Sequence, residues 1–79
     1  MLQEGQQLEG TVKHFNTEKG WGFILIPGED SLFVHWKSIL SKSNDPGERR
    51  VLKVGQNVRF MVMWNEVKQK FYADDVEVI

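Results

Sequence analysis

The chain has 79 residues, with 10 Lys or Arg, 11 Asp or Glu and a formal net charge of −1 at pH 7. This length holds one small domain, so we expect a single domain over 1–79 with 1–7 as an N-terminal extension. The absence of cysteine excludes disulfides and thiolate metal sites. The first seven residues lack a secretory signal, and no run of 18 apolar residues occurs, which predicts a soluble cytoplasmic protein without membrane contact.

The first half of the chain has the pattern of three short strands. Alternating apolar residues predict a first strand over residues 8–15, which ends at a polar turn over 16–20. A second strand is expected over 21–26. Pro27-Gly28 then favours a type II turn, because proline fixes φ and glycine accepts positive φ. A third strand over 32–36 is therefore expected to pair antiparallel with the second.

The second half continues without the 3.6-residue periodicity of an amphipathic helix. Residues 37–50 are mostly polar and predict a short helical turn followed by an exposed loop. A polar connection over 65–69 leads to a last strand over 70–79. The fourth strand is expected to direct one face inward, with Val58, Phe60, Val62 and Trp64. Five short strands predict an all-β fold, a five-stranded antiparallel barrel.

Aromatic side chains are concentrated on the second and third strands. Alternation places Trp21 and Phe23 on one face of the second strand, and Phe33 and His35 on one face of the third. Strand aromatics are often core residues, and periodicity alone leaves that interpretation open. The opposite face, however, already carries the aliphatic residues Ile24, Leu32 and Val34. We expect the rings to stack unpaired bases, and the two glycines that flank Trp21 to leave room for a base or backbone.

Positive charge near these rings is limited to a few residues. Phosphate binders are usually basic, whereas this chain is close to neutral. A protein that gains most of its affinity from stacking needs only local cations beside the rings. Lys13 and Lys19 flank the rings and are the stronger candidates, and Lys37 and Arg59 are the weaker ones.

Five segments together carry a resemblance to a known family. They are residues 10–16 (GTVKHFN), 19–24 (KGWGFI), 32–36 (LFVHW), 55–60 (GQNVRF) and 73–76 (ADDV). Over residues 8–78 the chain resembles the cold-shock domain, an oligonucleotide-binding (OB-fold) barrel. The order of the two aromatic motifs and the lack of flanking helices distinguish it from the RNA-recognition motif.

The resemblance implies a binding surface, and this chain departs from the family pattern at several positions. His14 replaces a tryptophan, whereas Trp21 and Trp36 are larger than the usual rings. Arg49 lies in the loop where the family often places an aromatic residue, and Ser31 replaces an aspartate. Phe15 and His14 are adjacent, so alternation places both on one face only if the strand bends. The expected nucleic-acid-binding residues are Lys13, His14, Phe15, Lys19, Trp21, Phe23, Phe33, His35, Trp36 and Arg49.

The function predicted from the sequence is non-enzymatic binding of single-stranded RNA or DNA over about 4 to 7 nucleotides. The resemblance implies an RNA chaperone or a regulator of transcription or translation. No catalytic residues, cofactor or metal site are expected, because no nucleophile with a base can be assembled and the two histidines lack companions. We expect a monomer. The alternative is a protein-interaction module that uses an outward face with Met61 and Met63.

Overall fold

The computed structural model describes residues 2–40 and 50–79, and within them the chain forms five strands and one short 3-10 helix. The strands close a barrel in the order β1-β2-β3-β5-β4. The predicted five-stranded all-β barrel is therefore confirmed. The strands are β1 (Gln7–Asn16), β2 (Trp21–Leu25), β3 (Leu32–His35), β4 (Asn57–Asn65) and β5 (Lys70–Val78), and the 3-10 helix is Trp36–Ser38.

Four of the neighbouring strand pairs in the described barrel are antiparallel, and the β3·β5 pair is parallel. This parallel contact is short and joins Phe33 to Tyr72 and Val34 to Ala73. A parallel pair cannot be made by a tight hairpin, so the chain reaches it by a long connection that includes β4. The contact closes the barrel and places the start of β5 beside Phe33.

The core contains the inward aliphatic residues of all five strands. The predicted inward residues Val58, Phe60 and Val62 are almost completely buried. Trp64 follows the same alternation but is only half-buried, because it lies at the mouth of the barrel and packs edge-on against Phe71, with ring centroids 4.8 Å apart. The core residues are Val12, Ile24, Ile26, Leu32, Val34, Ile39, Leu52, Val58, Phe60, Val62, Ala73 and Val76.

Two irregularities change which residues face outward. In β1, Val12 pairs with Ile24 but His14 pairs with Phe23, so Lys13 is an extra residue that has no partner in β2. In β5, Glu77 pairs with Arg59 and Asp74 pairs with Met61, so an advance of three residues along β5 corresponds to two along β4. Asp75 lies within this stretch and adopts a positive φ of 48°. Each irregularity is a β-bulge, which shifts the alternation of side chains on one strand relative to its neighbour.

The segment before β1 lies against β4. The Gly5 N–H donates to the Val62 carbonyl at 2.7 Å, and the Val62 N–H donates to the Gln6 carbonyl at 2.8 Å. Leu2 packs against the core. Helical structure in the described residues is too short to cross a membrane.

Candidate nucleic-acid interface

Four rings meet on the outer surface of β1, β2 and β3. Trp21 and Phe33 lie nearly parallel, with centroids 6.2 Å apart and an interplanar angle of 28°. Phe23 is edge-on to both, at 5.8 Å from Trp21 and 6.1 Å from Phe33. The register explains this grouping, because Phe23 is directly opposite Phe33 and paired residues share a face of the sheet. We call His14, Trp21, Phe23 and Phe33 the ring face.

The bulge at Lys13 brings His14 to this surface. Its ring is 6.3 Å from Trp21 and edge-on, at 66°. Because His14 pairs with Phe23, Phe15 falls opposite Gly22 and its side chain packs against the core. The structure therefore places His14 with the ring face and Phe15 on the other side of β1, as expected for adjacent residues of a strand.

The two glycines beside Trp21 were expected to leave room for a base or for backbone, and in the structure the backbone of β1 approaches Gly22 while a side chain fills the space at Gly20. A Cβ on Gly22 would lie 2.7 Å from the Phe15 Cα, so β1 occupies the space. A Cβ on Gly20 would collide with the Trp36 ring, so that ring occupies the space there. Gly20 also has a positive φ of 76°, which side chains with a Cβ rarely adopt. Both glycines allow close packing within the protein.

Trp36 belongs to a neighbouring pair of rings rather than to the ring face. The third strand ends one residue earlier than predicted, and Trp36 begins the 3-10 helix. The backbone N–H of Trp36 donates to the Gly20 carbonyl at 2.8 Å, and the centroid of its ring is 5.8 Å from that of the His35 ring. The Lys37 Nζ and the Arg50 guanidinium lie 5.8 Å and 6.0 Å from the Trp36 centroid, within cation–π range.

His35 has a defined hydrogen-bonding role. Its Nδ1 accepts from the Lys37 N–H at 3.2 Å and caps the 3-10 helix. Partial burial, together with the charges of Lys37 and Lys68, lowers the pKa of His35 below the usual 6.5. The neutral ring then carries its proton on Nε2, which is a donor for a base or phosphate oxygen. Across residues 2–40 and 50–79, no three His, Asp or Glu side chains are grouped to hold a metal ion.

The predicted cations occupy different positions around the ring face. Lys13 is exposed, and its Nζ is 3.5 Å from the Ser31 Oγ. Lys19 is exposed in the turn before β2, where its N–H donates to the Asn16 Oδ1 at 3.0 Å. Arg59 is held by Glu77, with Nη1 to Oε1 at 3.1 Å, on the β4·β5 side of the barrel. Arg49 lies outside the described residues.

Lys68 is a candidate binding residue that sequence reasoning missed. Its Nζ lies 5.5 Å from the Phe33 centroid. The β4–β5 turn holds it there, since the Lys68 N–H donates to the Asn65 Oδ1 at 3.1 Å and Gln69 adopts a positive φ of 53°. In the sequence Lys68 lies in a polar connection remote from Phe33, and the parallel β3·β5 contact brings the two together. Beside them is a hollow of about 340 Å³, lined in part by His35, Ser38, Lys70 and Tyr72.

The methionines of β4 give little support for the alternative surface. Met61 lies opposite Asp74, and Met63 lies opposite Tyr72. Both side chains are half-buried rather than fully exposed. Their placement agrees with ordinary, partly covered surface on the outside of the barrel.

A closed five-stranded barrel with partly exposed rings on its first three strands has the architecture of an oligonucleotide-binding barrel. The chain belongs to the cold-shock domain family, because residues 8–79 match the 'Cold-shock' DNA-binding domain, a nucleic-acid-binding domain. It is 43% identical over 70 residues to Cold shock protein CapB of Pseudomonas syringae pv. tomato, covering 89% of this chain and 91% of that protein. It is 47% identical over 55 residues to Cold shock protein CspA of Staphylococcus saprophyticus, covering 70% and 76%. These matches confirm the resemblance found in the sequence.

Proposed function

We propose that this protein binds single-stranded RNA or DNA by stacking bases on the ring face. The observation that carries the proposal is the near-parallel arrangement of Trp21 and Phe33 on adjacent strands, with both side chains partly open to solvent. Ring planes that lie on the outside of a sheet offer a surface for unpaired bases, at about 1 to 3 kcal/mol per base. Bases in a duplex are already stacked and paired, so a single strand is the favoured ligand.

Polar groups around the ring face would orient the strand. Lys68 lies over Phe33, and Lys13 lies by Ser31, so two cations flank the rings, one from the β4–β5 turn and one from β1. His35 contributes its Nε2 donor, because Nδ1 is engaged with the Lys37 N–H. These groups would contact phosphate or base edges while the rings supply most of the binding free energy.

Such a protein would act as an RNA chaperone or as a regulator of transcription or translation in the cytoplasm. By occupying unpaired bases, it would lower the free energy of melted RNA relative to that of hairpins. Because each contact is weak and tolerant of sequence, the complex would dissociate readily. This action is binding alone and requires no chemical step on the nucleic acid.

Titration with oligothymidine and oligouridine of equal length tests the proposal. Tryptophan fluorescence should be quenched on binding, and Trp21→Ala should reduce affinity at least about fivefold, equivalent to about 1 kcal/mol. Val67→Ala is a matched control, because Val67 is 93% exposed and lies outside the ring face. Wild-type affinity in the Trp21→Ala variant would reject the stacking mechanism and favour the protein-interaction alternative, to be tested at Met61 and Met63.

A further inference from the structure

A groove lined by aromatic residues lies beside the ring face at the mouth of the barrel. It has a volume of about 400 Å³, within the range of ligand-binding clefts. Phe23 and Phe33 form part of its lining, and Trp64 and Phe71 contribute two further rings. Leu2 also borders the groove. The groove therefore brings together aromatic residues from four different strands.

The groove is continuous with the ring face because the two surfaces share Phe23 and Phe33. A strand whose bases stack on these two rings would reach the groove with its next nucleotide, without leaving the protein surface. Trp64 and Phe71 are half-buried, so part of each side chain remains accessible to such a base. Their edge-on contact, with centroids 4.8 Å apart, fixes the geometry of that wall.

Charged and polar residues at the rim favour a nucleotide over a purely apolar occupant. Lys70 is exposed and borders the groove, and it also borders the neighbouring hollow that contains Lys68. At the other side Ser31 borders the groove with Lys13 at 3.5 Å from its hydroxyl. Asp30 also borders the groove and adds a negative charge next to Ser31, so Lys70 is the lining cation that is placed to pair with a phosphate beside a stacked base.

We propose that this groove is an additional subsite for one base at the end of the bound single strand, stacked against Trp64 and Phe71. The subsite rests on the proposed function, since it extends the same track. Trp64 follows the inward alternation of β4, and Phe71, the second residue of β5, pairs with it across the two strands. Lys70 would contact the phosphate that precedes or follows this base.

The test is the dependence of affinity on oligonucleotide length. Unlabelled oligothymidines of increasing length are measured by competition against one labelled oligothymidine, for the wild type and for Trp64→Leu, which keeps an apolar side chain at the barrel mouth. We expect similar affinities for the shortest oligonucleotides. For the longest ones, Trp64→Leu should bind at least about fivefold more weakly, and its affinity should reach a plateau about one nucleotide earlier.

Two further variants keep the proposal testable if Trp64→Leu does not fold. Phe71→Leu should show the same length-dependent loss, and Lys70→Gln should show a smaller one. Trp21→Ala, in contrast, should reduce affinity at every length, and Val67→Ala at none. An equal loss at all lengths in the Trp64 and Phe71 variants, or no loss at any length, would overturn the subsite while leaving the ring face intact. Absence of wild-type binding at every length would reject the proposed function as well.

Discussion

Lys68 lies above Phe33 although the two residues are 35 positions apart, with the lysine Nζ 5.5 Å from the ring centroid. The contact exists because the β4–β5 turn meets β3 where the barrel closes. It gives the ring face a cation that does not belong to any of the first three strands. Under the proposed function, Lys68 would contact the phosphate of a base stacked on Phe33.

The first prediction concerns this lysine. Lys68→Gln should weaken binding of a single strand modestly and make the slope of log affinity against log salt less negative by about 0.7, the contribution of one phosphate. The measurement is a salt titration of oligouridine binding. Lys53→Gln is the control, because Lys53 is exposed in the turn before β4. Equal slopes in wild type and Lys68→Gln would show that Lys68 does not contact phosphate.

The second prediction concerns the whole salt dependence of the wild type. Because few cations lie near the rings among residues 2–40 and 50–79, the slope should be shallow, about −1.5 to −3, at about −0.7 per phosphate neutralised. Affinities over a range of salt concentrations give this slope directly. A slope steeper than about −5 would mean that electrostatics, rather than stacking, supplies most of the affinity.

The third prediction compares two glycines with positive φ. Gly20→Ala and Gly28→Ala both introduce a Cβ at positive φ, 76° and 81°, with a cost of about 1 to 2 kcal/mol in the free energy of unfolding. At Gly28 nothing lies within 4 Å of the new Cβ, whereas at Gly20 it collides with the Trp36 ring. We therefore expect Gly20→Ala to be the more destabilising variant.

Chemical denaturation of the two variants measures this difference, and near-UV circular dichroism follows the indole environment. Gly20→Ala should change the spectrum and reduce oligonucleotide affinity, because Trp36 must move. Gly28→Ala should keep the wild-type near-UV spectrum and the wild-type oligonucleotide affinity. Equal stabilities would argue that Trp36 adjusts without cost and that its contact with Gly20 is unimportant.

The fourth prediction follows from the lowered pKa of His35. In the unfolded chain this imidazole takes up a proton near pH 6.5, whereas in the folded protein its pKa is lower. Protonation therefore favours the unfolded state as the pH falls through about 6.5, and the loss stops once the folded protein is protonated too. His35 contributes stability above this window that is lost on acidification.

His35→Asn isolates that contribution, because the asparagine oxygen can still accept the Lys37 N–H but does not titrate. Between about pH 7.5 and pH 5.5, the Tm of the wild type should fall relative to that of His35→Asn. All other titrating groups are the same in both proteins and cancel in the comparison. A constant difference in Tm across this range would contradict a pKa of His35 that is lower in the folded protein than in the unfolded chain.

Much of the ring face was predictable because side chains alternate along a strand. The alternation of side chains, together with the aliphatic residues on the opposite face, was enough to assign Trp21, Phe23 and Phe33 to the ring face. The position of His14 was less certain, since alternation separates it from Phe15. The bulge at Lys13 decided that question, and a bulge depends on how β1 pairs with β2 rather than on the residues of β1 alone.

The sequence by itself determined the strands, the inward aliphatic residues and the family, because these depend on local patterns along the chain. Only the tertiary structure decided that Lys68 reaches Phe33, that Trp36 occupies the space beside Gly20, and that Trp64 and Phe71 form a groove at the barrel mouth. The physical reason is that barrel closure and strand register arise from contacts between distant segments. Those contacts are set by the packing of the whole barrel.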